Sequence, residues 1–172
     1  ELALDKAEKY KWDRVKGIQS NIKDDLARNV LEWLRYYNGA TDLNFSNYKD
    51  YINHNSQWPL VESIKLKAES KITFQEKNKE LIKYFKDNPP KTGWGKIYYG
   101  NALLNIGEIE KGKTFIKEGY INGSLTRKEQ AQVIKKFKNL LDQEDHKKRI
   151  NELLWDGKYR TASRLIKYVD KD

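Results

Sequence analysis

The sequence predicts an all-α chain, an irregular, superhelical α-solenoid of antiparallel, tetratricopeptide-like helix pairs with about ten or eleven helices. Three observations predict it. Apolar residues recur at spacings of three and four along most of the 172 residues, the period of a helix with one inward face. Only 10 Gly and 3 Pro occur, so helices run without interruption and most links are short, which turns neighbouring helices antiparallel. No series of alternating Val, Ile and Thr runs bounded by Asn-Gly or Asp-Gly turns appears.

The elements follow in order. Residues 1–9 read as a short helix, and Trp12, Val15 and Ile18 share one face of a second. A third is expected over Asp24–Tyr37, with Leu26, Val30, Trp33, Leu34 and Tyr37 as its apolar stripe. After a loop containing Gly39, a helix near Ser46–Asn53 carries Tyr48, Tyr51 and Ile52. Pro59 suits the first turn of the next helix, whose Val61, Ile64, Ala68 and Ile72 keep helical spacing. Thr73 with Glu76 reads as a capping box for a helix holding Leu81, Ile82 and Phe85, and Pro89-Pro90 must end it.

Thr92 can cap a helix over Gly93–Ile106 that is apolar on most sides and therefore central, with Gly107 closing it. Glu108–Gly119 is its partner. Thr126 with Glu129 opens a helix carrying Val133, Ile134, Phe137, Leu140 and Leu141. Asp142 with Asp145 opens another, holding Ile150, Leu153 and Leu154 and ended by Gly157. The last is expected over Tyr159–Val169, with an apolar face that the next repeat of a longer array would cover.

The chain repeats itself. Gly107-Glu108-Ile109 leads to Gly112, Phe115 and Ile116, and Gly157-Lys158-Tyr159 leads to Ala162, Leu165 and Ile166, with Lys11-Trp12 followed by Val15 and Ile18 as a looser copy. A turn residue ends one helix, a bulky residue wedges the next against it, and a small residue lets the backbones approach. A compact helical bundle is the alternative. The short links and polar surface favour the solenoid, with residues 1–172 as one scaffold domain.

Composition narrows the function. The charge of +9 suits anionic partners: nucleic acid, acidic lipid or cell-wall carboxylates. Lys outnumbers Arg 27 to 7, which disfavours base-specific reading, where the planar guanidinium excels. Without Cys, and with His only at 54 and 146, no metal-ligand spacing exists and no cofactor is expected. No apolar run approaches the roughly 20 residues of a membrane span.

Several motifs admit a chemical and a structural reading. Gly93-Trp94-Gly95-Lys96 superficially suggests a phosphate cradle, but it lacks the preceding strand and spacing, and a tight helix start with close helix approach suits it better. Glu69-Ser70 could suggest a glycosidase acid, yet a structural Glu69 bonded to a neighbouring helix terminus is favoured. Lys135, Lys136, Lys147, Lys148 and Arg149 form basic clusters, either solvated helix faces or contacts for carboxylates and glycan. Tyr36-Tyr37 and Tyr98-Tyr99 could stack on sugars, although one of each pair is more simply core.

Segments in order then carry a resemblance: Leu31-Glu32-Trp33-Leu34-Arg35; Asn55-Ser56-Gln57-Trp58-Pro59; Ala68-Glu69; Phe85 through Pro89-Pro90-Lys91-Thr92-Gly93-Trp94-Gly95; Ala102-Leu103-Leu104 with Gly107; His146 to Arg149; and Leu153-Leu154-Trp155-Asp156-Gly157. In order and spacing these resemble the N-terminal superhelical region of soluble lytic murein transglycosylases, over about residues 24 to 170. The resemblance implies a periplasmic scaffold preceding a lysozyme-like domain that cleaves the MurNAc–GlcNAc bond of peptidoglycan to a 1,6-anhydro product. It assigns structural roles to Trp33, Trp58, Pro59, Glu69, Pro89, Pro90, Thr92, Gly93, Gly95, Gly107, Leu153, Leu154, Trp155 and Gly157. The family's catalytic Glu-Ser pair is followed downstream by a Gly-Leu-Met-Gln-type segment. Glu69-Ser70 has no such sequel and Met is absent, so no catalytic residue is expected and the chain reads as part of a longer enzyme.

Two functions follow: a non-catalytic scaffold that positions peptidoglycan glycan strands, or a free-standing helical adaptor for a protein or peptide. Charge-driven, non-specific RNA binding is a weaker third.

Overall fold

The computed structural model describes residues 12–169. The helix expected over residues 1–9 lies outside them. The described residues are all-α, with ten α-helices, one short 3-10 turn and no strand. They divide into two compact units, with the boundary after Lys71.

The first unit holds α1 (Trp12–Gln19), α2 (Asp25–Asn38), α3 (Phe45–His54) and α4 (Val61–Ser70). Asp24 caps α2 through its carboxylate, and Gly39 ends it with φ 75°. An Asn44–Asn47 capping box opens α3. Helices α3 and α4 pack together, and α2 packs on both α1 and α4. The core centres on tyrosines: Tyr36 stacks on Tyr51 at 4.0 Å and meets Tyr48 edge-on at 5.2 Å. The Tyr48 hydroxyl donates to the Tyr36 carbonyl, and burial pushes its pKa up to about 12.

The second unit holds α5 (Asn78–Asp87), α6 (Gly93–Asn105), α7 (Ile109–Asn122), α8 (Arg127–Lys136), α9 (Gln143–Trp155), α10 (Tyr159–Ser163) and the 3-10 turn Ile166–Tyr168. Thr92 caps α6 through its hydroxyl, and the Thr126–Glu129 and Asp142–Asp145 capping boxes open α8 and α9, all as expected. Helix α6 is central, with nine buried residues, and packs on α5 and α7; α9 packs on α7 and α10.

The α6–α7 contact runs along glycines. A Cβ on Gly100 would lie 2.6 Å from the Gly112 carbonyl oxygen, and one on Gly112 would lie 2.8 Å from that of Gly100. One turn pair further, a Cβ on Gly93 would meet the Gly119 oxygen at 2.7 Å and Gly123 Cα at 2.4 Å, and one on Gly119 would meet the Gly93 oxygen at 2.5 Å. Gly93 and Gly100, like Gly112 and Gly119, stand seven apart, which puts each pair on one helix face. The helices therefore touch backbone to backbone, with Ile97, Leu104 and Ile116 closing over the seam. The motif at Gly93 is a helix start built for close approach.

The repeat survives in its turns. Gly107 donates to Leu104 O while Glu108 donates to Leu103 O, and Gly157 donates to Leu154 O while Lys158 donates to Leu153 O. Both are Schellman closures, with the glycines at φ 92° and 70°. The wedge does not survive. Ile109 and Tyr159 are exposed, and the small Gly112 and Ala162 make the contact instead. The second copy also breaks off: α10 ends at Ser163 and a 3-10 turn follows where a longer helix was expected.

Three further expectations are corrected. Pro59 is not in the first turn of α4; the helix starts at Val61 after Leu60, whose φ of 57° redirects the chain, and the Pro59 carbonyl instead accepts from Trp33 Nε1 at 2.8 Å. Thr73 and Glu76 form no capping box, since Thr73 Oγ1 accepts from Gln75 N at 3.3 Å in a local turn and α5 begins only at Asn78. In α2 the buried positions are Leu31 and Tyr36, whereas Leu26 is 67% exposed. That helix is apolar on adjoining faces, so more than one stripe fits its period.

The seam sets the first prediction. Gly100→Ala and Gly112→Ala should each cost about 1–3 kcal/mol, the range for overpacking. Gly17→Ala, in α1 with nothing within 4 Å, should gain about 0.5–1 kcal/mol by helix propensity alone. Urea unfolding of the three variants checks both signs.

Candidate functional site

The second half of α9 and the turn after it carry the most conspicuous surface. Trp155 is 88% exposed, and Leu154 and Tyr159 are exposed beside it. With Asn151 these side chains line a cavity of about 430 Å³. The geometry follows from the sequence: Leu153 points into the core, where Ala162 and Leu165 meet it, and the Gly157 turn brings Tyr159 back against the last turn of α9. Two aromatic rings, an amide and an aliphatic wall can bind a flat, partly apolar face, such as that of a pyranose ring or a peptide side chain.

The opposite face of α9 is polar and buried. Arg149 is 1% exposed. Its Nε donates to Gln130 Oε1 at 2.8 Å, and one terminal nitrogen donates to the carbonyls of Tyr120, Ile121 (3.2 Å) and Gly123 (3.1 Å). These belong to the last turn of α7 and the residue that ends it, where carbonyls lack intrahelical partners. The guanidinium also lies over the Tyr120 ring at 5.1 Å. Burial lowers its proton affinity relative to an exposed arginine. Arg149 is thus a buried helix cap and departs from the expected anion contact, because the guanidinium is buried, with Nε on Gln130 and one terminal nitrogen on the α7 carbonyls.

His146, one turn earlier, is buried too. Its Nδ1 lies 2.7 Å from Tyr120 Oη in a hydrogen bond, and its ring stacks on Tyr168 at 5.0 Å. Burial lowers its pKa. At the start of α9, Lys117 of α7 bridges Asp145 at 2.7 Å and Asp142 at 2.9 Å. The Asp145 bond and burial act in opposite senses on Lys117, which ends with a raised pKa, while the hydrogen bond from the Asp145 amide helps hold Asp142 below its usual range.

The other basic residues are at the surface. Lys135 and Lys148 are exposed, Lys136 sits 4.6 Å over the Phe74 ring, and Lys147 pairs with Glu144 at 3.2 Å. Glu69 is 2% exposed and shares the inner face of α4 with Ile64 and Ala68, so it does not stand in an open cleft. Tyr98 and Tyr99 are both buried, as is Tyr36. Tyr37 stacks on Trp33 at 5.3 Å and lines a cavity of about 580 Å³ with Lys67 and Ser70. Trp58 is half-buried, Pro89 is exposed, and Gly95 offers its N–H to the Thr92 cap. Pro90, half-buried, completes the break after α5.

Among the described residues no group of three or more His, Asp or Glu converges on a metal position, and no helix is long and apolar enough to cross a membrane.

No family model, no curated protein and no solved structure matches this chain.

The Tyr120–His146–Arg149–Gln130 cluster was missed in the sequence. Its signal was present: counting back from Leu153 by helical turns reaches Arg149 and His146, which share the buried face of α9.

Removing a buried, multiply bonded charge is costly, so Arg149→Ala should lose about 3–5 kcal/mol of stability, and Arg149→Lys should recover little because an ammonium cannot reproduce the fork. Lys135→Ala and Lys148→Ala should stay within about 0.5 kcal/mol of the parent. Denaturant titration separates these outcomes.

Proposed function

We propose that this chain is the non-catalytic scaffold region of a lytic murein transglycosylase, which holds peptidoglycan glycan strands for cleavage of the MurNAc–GlcNAc bond by a lysozyme-like domain elsewhere in the parent enzyme. On this reading the protein works in the periplasm, and its paired helices form a superhelical wall.

One observation carries the reading: the residues of the resemblance do architectural work in the helix pairs, and the exposed aromatic of the same set stands among them. Thr92 caps α6, Gly93 touches α7, Gly107 and Gly157 close Schellman turns, and Leu153 is core. Trp155, two residues beyond Leu153, faces solvent beside Tyr159. An indole held outward on a rigid helix end can stack on the apolar face of a sugar at little entropic cost, because its anchor is already ordered. Lys135 and Lys148 add positive charge suited to the carboxylates of peptide stems. Holding a strand in place lowers the entropic cost of a reaction carried out by another domain. Glu69 has no part in bond cleavage here, since a general acid must reach its substrate.

An adaptor for a protein or peptide is the second reading, favoured by the same exposed Leu154, Trp155 and Tyr159.

Sedimentation with purified murein sacculi tests the choice. The intact chain should co-sediment and release no anhydro-muropeptides. Trp155→Ala and Tyr159→Ala should keep the helical circular dichroism of the parent and lose most of the binding. A chain that stays in the supernatant removes the murein reading and leaves the adaptor. Anhydro-muropeptide release above blank would show that the chain is catalytic.

A further inference from the structure

Helix α8 turns one face toward the chain that follows α10. Arg127, Gln130 and Ile134 stand at intervals of three and four on that face, and Arg164, Lys167 and Tyr168 close the other side. Between them lies a cavity of about 410 Å³, within the range of small-molecule sites.

Its charged groups are of one sign, and the hydroxyl of Ser163 beside them donates to the Arg160 carbonyl at 3.2 Å. Three cationic side chains line it and, among the described residues, no carboxylate does. Carboxylates nearby in sequence are engaged elsewhere: Glu129 accepts from Thr126 N at 2.7 Å, and Asp156 pairs with Lys158 at 2.8 Å. Gln130 decides the character of the floor. It is 5% exposed, and its Oε1 accepts from the buried Arg149 at 2.8 Å. With the oxygen held there, the group left for the cavity is the amide NH2, a donor. Three cations and an amide NH2 with no carboxylate opposing them are matched by a ligand that accepts, and charge-assisted bonds from arginine favour an oxyanion. Ile134 and the Tyr168 ring, itself held against His146, add an apolar side.

We propose that this cavity binds a small organic oxyanion, a carboxylate or phosphate on a compact apolar body, with Arg127, Arg164 and Lys167 on the charged end and Gln130 as the neutral donor. The site is independent of the glycan reading. It uses none of the residues around Trp155, so either can fail without the other.

Three probes test it on the intact chain: benzoate, phenyl phosphate and the uncharged isostere benzamide, followed by NMR of the Gln130 side-chain amide and the arginine Nε–H groups. At least one of the two anions should shift these signals saturably, and benzamide should not; the tighter anion identifies the natural headgroup. Arg164→Gln should weaken binding about tenfold, the equivalent of one charge-assisted hydrogen bond. Gln130→Glu keeps a partner for Arg149, so the fold stands, yet it replaces the donor with a carboxylate and should abolish binding. Three results would each overturn the proposal: equal binding of benzamide and benzoate, no saturation by either anion, or unchanged affinity in Arg164→Gln with the fold intact.

Discussion

The second unit depends on one steric constraint: α6 and α7 have no side chains where they touch. Helices that meet through ordinary side chains keep their axes about 8–10 Å apart. Here Gly93 and Gly100 oppose Gly119 and Gly112, and even one methyl group at any of the four would reach within 3 Å of a facing carbonyl oxygen. Glycine is a poor helix former, so an α6 and α7 that carry five glycines, at 93, 95, 100, 112 and 119, lose intrinsic stability. Dense packing of Ile97, Leu104 and Ile116 over the seam, and burial of nine residues of α6, offset that loss.

From the seam, position is handed on. The carbonyls at the end of α7 are left open by the helix and are collected by Arg149, which fixes α9 against α7. Lys117 does the same from the other end of α9, through Asp142 and Asp145. Arg149 also holds Gln130 and so registers α8. Both surfaces that could receive a ligand are consequences. The Trp155 platform is the outward side of the helix whose inward side holds Arg149 and His146, and the cationic cavity has as its floor the amide that Arg149 orients. A polar core of this kind gives little net stability for its desolvation cost, and its bonds tie α7, α8 and α9 to one another through a single side chain.

How much could be read from the sequence depends on which signals are local. Thr92, the Thr126–Glu129 pair and the Asp142–Asp145 pair are local caps, and each is present. Gly107 and Gly157 are local as well, since a left-handed residue after a helix needs no partner from afar. Thr73–Glu76 shows the limit: the same residue pattern closes a turn when no helix begins behind it. Phase was harder than period. In α2 several faces are apolar, and only the packing of α4 and α1 selects Leu31 over Leu26. For the candidate sites less was legible. Arg149 reads as one more member of a basic run, because burial of a charge is decided by carbonyls nearly thirty residues away. Arg127 and Arg164 come together only through the chain reversal at Gly157, so no linear spacing could pair them.

Native-state hydrogen exchange tests the central claim, that the glycine seam organises the second unit. The amides of α6 and α7 that face each other, Ile97 to Leu104 and Gly112 to Gly119, should be the slowest of residues 72–169 and should exchange only with unfolding of that whole unit. If they exchange by local opening while α8, α9 and the Arg149 cluster remain protected, the seam is a late contact and the account is wrong.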